Sequence, residues 1–310
     1  MKQRLAYRIA SMEPRTAVLN ETARNMALND QKKIGLCEKI ILDNVAEYYA
    51  AHEQIEWDLS EDFPSWAPPF PVFFVEWNVP NVFRVDTGFY KPEVSSQMGF
   101  LVVAHDMTKE KGPISFWEHL ASSVDGKRFV DVIPKSRWIS EMSLWGSSSA
   151  GGGAPVWVGI MCLMAIDDKG GYLERLLIGP ARDLESLKST DGALHIAGLG
   201  LSFMHCKNVA INTEAISNSP KWHKQHKKPI VKFKTLNINP MKETLRREGG
   251  SDSNGLKKAL HICRGHFANY SEEHPLFGKY VGQFWKPSHV RGQITSGAVV
   301  KDYSVAGAEK

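Results

Sequence analysis

Apolar and polar positions along the chain divide it into short extended stretches with a few helical ones between them. Residues 72–77 (VFFVEW) and 98–105 (MGFLVVAH) are apolar runs of strand length, and Pro80 ends the first. Residues 154–166 and 172–178 flank Asp167-Asp168-Lys169-Gly170-Gly171, a polar connector ending in glycine that predicts an antiparallel hairpin. Residues 208–213 and 231–238 read as further strands. Over residues 34–51 the apolar positions Ile34, Leu36, Ile40, Ile41, Leu42 and Val45 suit one amphipathic helix better than a strand. Residues 193–204 (ALHIAGLGLSFM) are apolar nearly all round and read as a buried helix despite Gly198 and Gly200. Two more helices are expected at 115–123 and at 240–247. Residues 1–32 show no sustained period and are expected to form a loose or partly helical arm, and 127–134 is short and mixed.

Helices interleaved with strands predict an α+β protein with a mostly antiparallel sheet, flanking helices and a basic C-terminal portion. The one low-complexity stretch, GSSSAGGGA after Trp145, suggests a flexible Gly/Ser loop at 146–153 between an N-terminal α+β region, 1–145, and a C-terminal one, 154–310. That loop lacks the Lys-Ser/Thr and the glycine spacing of a Walker-type phosphate cradle.

A chain of 310 residues, 43% of them hydrophobic, can bury a core without staples. Its four cysteines, Cys37, Cys162, Cys206 and Cys263, form no CxxC pair, so reduced thiols in a cytoplasm fit best. The N-terminal segment lacks the apolar centre of a secretory signal, and the longest apolar window is shorter than the ~20 residues of a membrane-spanning helix. No membrane association, metal or cofactor is expected, and the oligomeric state is left open.

Charge changes the picture. Residues 201–310 carry 18 Lys+Arg against 8 Asp+Glu, whereas residues 1–200 carry 20 against 26. A basic end of this kind points to a polyanionic partner, nucleic acid or a nucleotide, although a basic surface that only confers solubility has the same composition. Within it, KWHKQHKK at 221–228 offers Lys221, Lys224, Lys227 and Lys228 beside the indole of Trp222, either as a solvated loop or as a phosphate-contacting patch.

Candidate chemistry concentrates at 257–292. His261, His266, His274 and His289 stand there among Arg264, Lys279, Lys286, Arg291 and the aromatics Phe267, Tyr270, Phe277, Tyr280, Phe284 and Trp285. If 259–267 is one extended strand, Arg264 and His266 share a face and His261 lies on the other; His289 and Arg291 share a face of a second strand. Two His/Arg pairs on adjacent strands would make a cationic site, with His266 and His289 as acid and base and Arg264 and Arg291 as phosphate clamps. Such a site suits a metal-independent phosphodiester- or nucleotide-processing enzyme, for instance a ribonuclease. The alternative is a non-enzymatic nucleic-acid- or partner-binding protein that uses the same groups, together with Lys279, as contacts. A purely structural His/Arg network is the third possibility. A zinc set of His205, Cys206, Cys263 and His266 has suitable residue types but lacks the spacing of common sites.

The run HICRGHF, followed by LFGKYVGQFW and HVRG and preceded by FMHCKNV at 203–209, resembles a family of uncharacterised bacterial and phage- or plasmid-associated proteins. The resemblance covers roughly the last third of the chain. It implies a cytoplasmic bacterial or mobile-element setting and brings no established activity.

Overall fold

Strands that alternate short polar breaks with β-branched and aromatic runs assemble here into one large sheet and two small ones. The computed structural model describes residues 4–11, 15–16, 20–52, 57–80, 97–109, 123–147, 154–179, 184–215, 232–238, 259–263, 266–286, 289–291 and 293–298. The chain divides into two units, residues 1–205 with 211–237, and residues 206–210 with 238–310.

The large sheet contains strands β1 (Arg15–Thr16), β2 (Glu38–Ile41), β3 (Val72–Asn78), β4 (Gln97–Asp106), β5 (Trp138–Ser147), β6 (Val156–Ile166), β7 (Tyr172–Ile178), β8 (Val209–Ala215) and β9 (Lys232–Ile238), all in the first unit except Val209, Ala210 and Ile238. They form a sheet in the order β1-β6-β5-β4-β3-β2-β9-β8, with β7 also pairing β6. From β3 to β7 the ladders are antiparallel, and β2 runs parallel to both β3 and β9. The class is α+β, with a mostly antiparallel sheet and flanking helices.

Cross-strand partners share a face of the sheet. The register therefore aligns Ile41, Phe74, Leu101, Trp145 and Trp157 on one face. Over them lie Leu5, Ala6 and Ile9 of α1 (Leu5–Ser11) and Ala23, Ala27 and Ile34 of α2 (Glu21–Leu36). Farther along this face, Phe129 of α4 (Val124–Val132) and Ile133 cover Ile139, Leu163, Ala165 and Leu176. The opposite face is covered by α5 (Leu184–Met204), whose Asp191 takes an ion pair from Arg175, the register partner of Met164. Helix α3 (Asp43–Ala50) packs beside α5.

Four expectations change or sharpen. Of the two forms expected for residues 1–32, a loose or a partly helical arm, the helical one holds where they are described, and α1 and α2 are anchored to the sheet. The buried positions of α2 are Ala23, Ala27, Asp30 and Ile34, two alanines and an aspartate that carry little periodic hydrophobicity, and Asn20 caps α2 by accepting from Ala23 N–H at 2.7 Å. Residues 34–51 are not one helix. Helix α2 ends before Cys37, and Ile40-Ile41-Leu42 leads through β2 into α3, because parallel partners on both sides can pair a β-branched run that helical spacing alone would also accept. The mixed segment at 127–134 is helical, started by Ser123, whose Oγ accepts from Gly126 N–H. Strand β5, unanticipated from the pattern, is central and buried on both sides, with Ser140 and Ser143 interrupting its apolar run.

The hairpin at 167–171 forms as expected. Asp167 Oδ1 accepts from Lys169 and Gly171 N–H, and Gly170 takes the left-handed conformation at φ +89°. Gly198 and Gly200 are explained by close approach: a Cβ at Gly198 would lie 2.5 Å from the Trp66 ring, and one at Gly200 would lie 2.6 Å from Leu42. Gly146 and Ser147 of the low-complexity stretch are the last residues of β5, and Ser147 is buried where it accepts from Arg8. The rest of that stretch, and the helices expected at 115–123 and 240–247, lie outside the described residues. The two units divide the chain elsewhere than at 146–153, since β5 and β6 on either side of it are neighbours in one sheet.

The second unit contains β10 (Ala259–Cys263), β11 (His266–Tyr270), β12 (Gly282–Lys286), β13 (His289–Arg291) and β14 (Gln293–Ala298). They make a three-stranded sheet, β13-β10-β14, and the pair β11-β12. Residues 206–208 hold the outer edge of β12: Lys207 N–H donates to Gln283 O at 2.8 Å, and Asn208, fully buried, brackets Trp285 with a bond to its carbonyl and one from its N–H, at 2.8 and 2.9 Å.

Candidate functional site

The expected single strand at 259–267 is two strands, β10 and β11, and the pairing of each decides which residues are brought level. In the β11-β12 ladder His266 is opposite Lys286, Ala268 opposite Phe284 and Tyr270 opposite Gly282. In the β10-β13 ladder His261 is opposite Arg291 and Cys263 opposite His289. The partner of His266 is thus a lysine, and Arg291 is level with His261, the residue that sequence alternation set apart from the site. Arg264, Lys221, Lys224, Lys227 and Lys228 lie outside the described residues.

One face of β11-β12 carries His266, exposed, together with Tyr270, Phe284 and Lys286. The Lys286 ammonium sits 5.0 Å above the Tyr270 ring, and Tyr270 meets Phe284 edge-on with centroids 6.0 Å apart. The opposite face holds Phe267 against Trp285 at 4.7 Å, which supplies the packing that keeps the pair in place.

Lys279 lies in the turn that joins the two strands. Leu276 and Tyr280 exchange backbone hydrogen bonds of 2.8 and 3.0 Å, Gly278 N–H donates to Pro275 O, and Leu276 is buried as the anchor. Between these ties the chain presents Phe277 at φ +53° with 61% of its surface exposed, and Gly278 follows at φ +71°. The Lys279 ammonium stands 5.2 Å from the Tyr280 ring centre. Glu272, Glu273 and His274 are exposed in the preceding turn. Cation-aromatic couples of this kind direct positive charge outward from a hydrophobic support.

Titratable clusters that the sequence did not flag lie in the first unit. Glu76 is buried on β3, where burial pushes its carboxyl up to about 7 against the pull of Ala6 N–H, which donates to Oε2 at 2.6 Å, and of Arg4. Arg4 also donates to Asp43 at 2.8 Å, and Arg8 donates to Gln97 and Ser147, so the group pins α1 to the ends of three strands. On α5, burial lowers His195 to about 4; its Nδ1 is 3.0 Å from the Tyr49 hydroxyl and its ring stacks on Phe63. No periodic signal could have revealed either cluster, because each joins residues from distant segments. The Cys206 thiol, hydrogen-bonded by Gln283, is pushed up to about 12 by burial and is not a nucleophile at neutral pH.

No protein-family model, curated protein or solved structure matches the chain. No helix among the described residues is long and apolar enough to cross a membrane.

Proposed function

We propose that the C-terminal unit binds a polyanion, nucleic acid or a nucleotide, through His266 and Lys286 on one face of β11-β12 and Lys279 in the turn that joins these strands. The observation that carries this reading is that, among the described residues, exposed His266 stands level with half-buried Lys286, with Lys279 exposed in the adjoining turn, so these cationic groups lie at the surface. A surface of this kind gains affinity by releasing counterions from phosphates. Lys221, Lys224, Lys227 and Lys228 extend the same reading as further phosphate contacts. The free thiols of Cys37, Cys162 and Cys206 support a reducing, cytoplasmic setting.

The test is fluorescence anisotropy with a labelled RNA oligonucleotide at about 50 and about 200 mM salt. Lys279→Ala with Lys286→Ala should weaken binding and flatten its salt dependence by roughly one to two units of slope. Affinity and slope both unchanged would remove the face from consideration.

A second reading keeps the enzyme, a metal-independent phosphodiesterase such as a ribonuclease, with His266 and His289 as acid and base and Arg264 and Arg291 as clamps. The backbone register keeps His289 and Arg291 on one short strand, β13, while His266 belongs to the separate β11-β12 ladder, so this reading needs the two ladders to act together. Cleavage of the same RNA in the presence of a chelator, lost in His289→Ala while binding persists, would favour it over the binding module.

A further inference from the structure

We propose that the ligand of this face is single-stranded nucleic acid and that Phe277 is a platform on which one of its bases stacks. The inference rests on the polyanion-binding reading above. Phe277 adopts φ +53°, a conformation that L-residues other than asparagine or glycine rarely take, and it leaves 61% of a large ring in water. Neither backbone preference nor burial accounts for a phenylalanine here. The conformation is imposed by its surroundings: the bridge between Leu276 and Tyr280, the buried Leu276 side chain and the left-handed Gly278. Strain held in this way at an exposed ring points to use of the ring.

The neighbours indicate what the ring receives. Lys279 follows Phe277 by two residues over the Tyr280 ring, and Lys286 stands over Tyr270 on the paired strands. A single strand presents phosphates and unstacked bases in alternation, so it can satisfy a cation and a ring side by side. A duplex keeps its base faces stacked and would leave the ring idle. Phe277 and Val281 are the exposed large apolar side chains of this turn, and an anionic bilayer is the rival occupant. The exposed carboxylates of Glu272 and Glu273 close by oppose a charged membrane plane more than a flexible strand that can pass to one side.

The experiment measures anisotropy of a labelled oligothymidylate of about twelve nucleotides and of a matched duplex, with co-sedimentation on phosphatidylserine/phosphatidylcholine vesicles in parallel. The full chain should bind the single strand more tightly than the duplex. Phe277→Ala should weaken single-strand binding about tenfold with an unchanged salt slope, and Phe277→Trp should keep it. Phe277→Gly separates function from folding: it relieves the backbone strain and should raise Tm while weakening binding. Equal affinity for duplex and single strand, or normal oligothymidylate binding by Phe277→Ala, overturns the stacking role and leaves the polyanion reading standing. Absence of binding to either oligonucleotide by the unmodified chain overturns both. Vesicle binding that is lost in Phe277→Ala, with no effect on oligonucleotides, overturns the inference in favour of the membrane.

Discussion

The two units place the same kinds of side chain in opposite circumstances. In the first, Glu76, Arg4, Asp43 and His195 are turned toward protein partners, and desolvation moves the carboxyl up and the imidazole down. In the second, Lys279 and Lys286 ride on tyrosine rings at the surface, and His266 is exposed. A buried cluster spends its hydrogen-bonding capacity on holding segments together, as Glu76 does for α1. A cation above a half-buried ring stays at the surface instead. The density of titratable residues alone does not distinguish the two circumstances, whereas their burial does.

The contrast can be broken most forcefully by removing core volume. Trp66 is fully buried against α5, so Trp66→Ala should cost about 3–5 kcal/mol, read from thermal or denaturant unfolding. Oligonucleotide affinity measured below the melt should be unchanged; a parallel loss of binding would show that the two regions are not separable. Asn208→Ala should cost less, about 1–3 kcal/mol, by leaving the Trp285 N–H without its partner. Unlike Trp66→Ala, it should also weaken binding, since Asn208 fixes the strand that carries Lys286.

The pH dependence is the most diagnostic of burial. Glu76 titrates above its ordinary value of 4.5, at about 7, so its contribution to stability is fully present below about pH 4.5 and is lost as pH rises through about 7. His195 titrates below its ordinary 6.5, at about 4, so its contribution is present above about pH 6.5 and is lost as pH falls through about 4. The two slopes oppose each other between these limits. Glu76→Gln should therefore leave a protein whose Tm rises from pH 4.5 to 6.5, and His195→Asn one whose Tm falls over the same range. Identical pH profiles for the two variants would mean that neither group is shifted as its burial requires.

Much of the sheet was legible because its strands carry their own limits. Residues 72–77 and 98–105 are bounded apolar runs, and Asp167 with Gly170 encodes the turn between β6 and β7. The helix at 193–204 was legible from its continuous apolarity, but the purpose of its two glycines was not, since Trp66 and Leu42 come from elsewhere in the chain. At 34–51 local spacing favoured a helix, and only pairing with β3 and β9 makes 38–41 a strand. The site divides in the same way. His266, His289, Arg291 and Lys279 were visible as residue types, and the strand character of both segments was visible as well. Register was not, because alternation along one strand cannot say which residue of another stands opposite. The prominence of Phe277 depends on one backbone dihedral that no periodicity records.

Strand β2 has a consequence for biosynthesis. Its two flanks are filled by β3, which follows soon after it, and by β9, in which Ile40 meets Lys234. While the chain is being made, β2 offers an unpaired parallel edge throughout translation of everything between them. Non-local parallel pairing of this kind closes slowly, and an open edge is where nascent chains adhere to one another. A ribosome paused before residue 232 should hold a chain that is prone to self-association and needs a chaperone's shielding, a hazard that ends when β9 emerges.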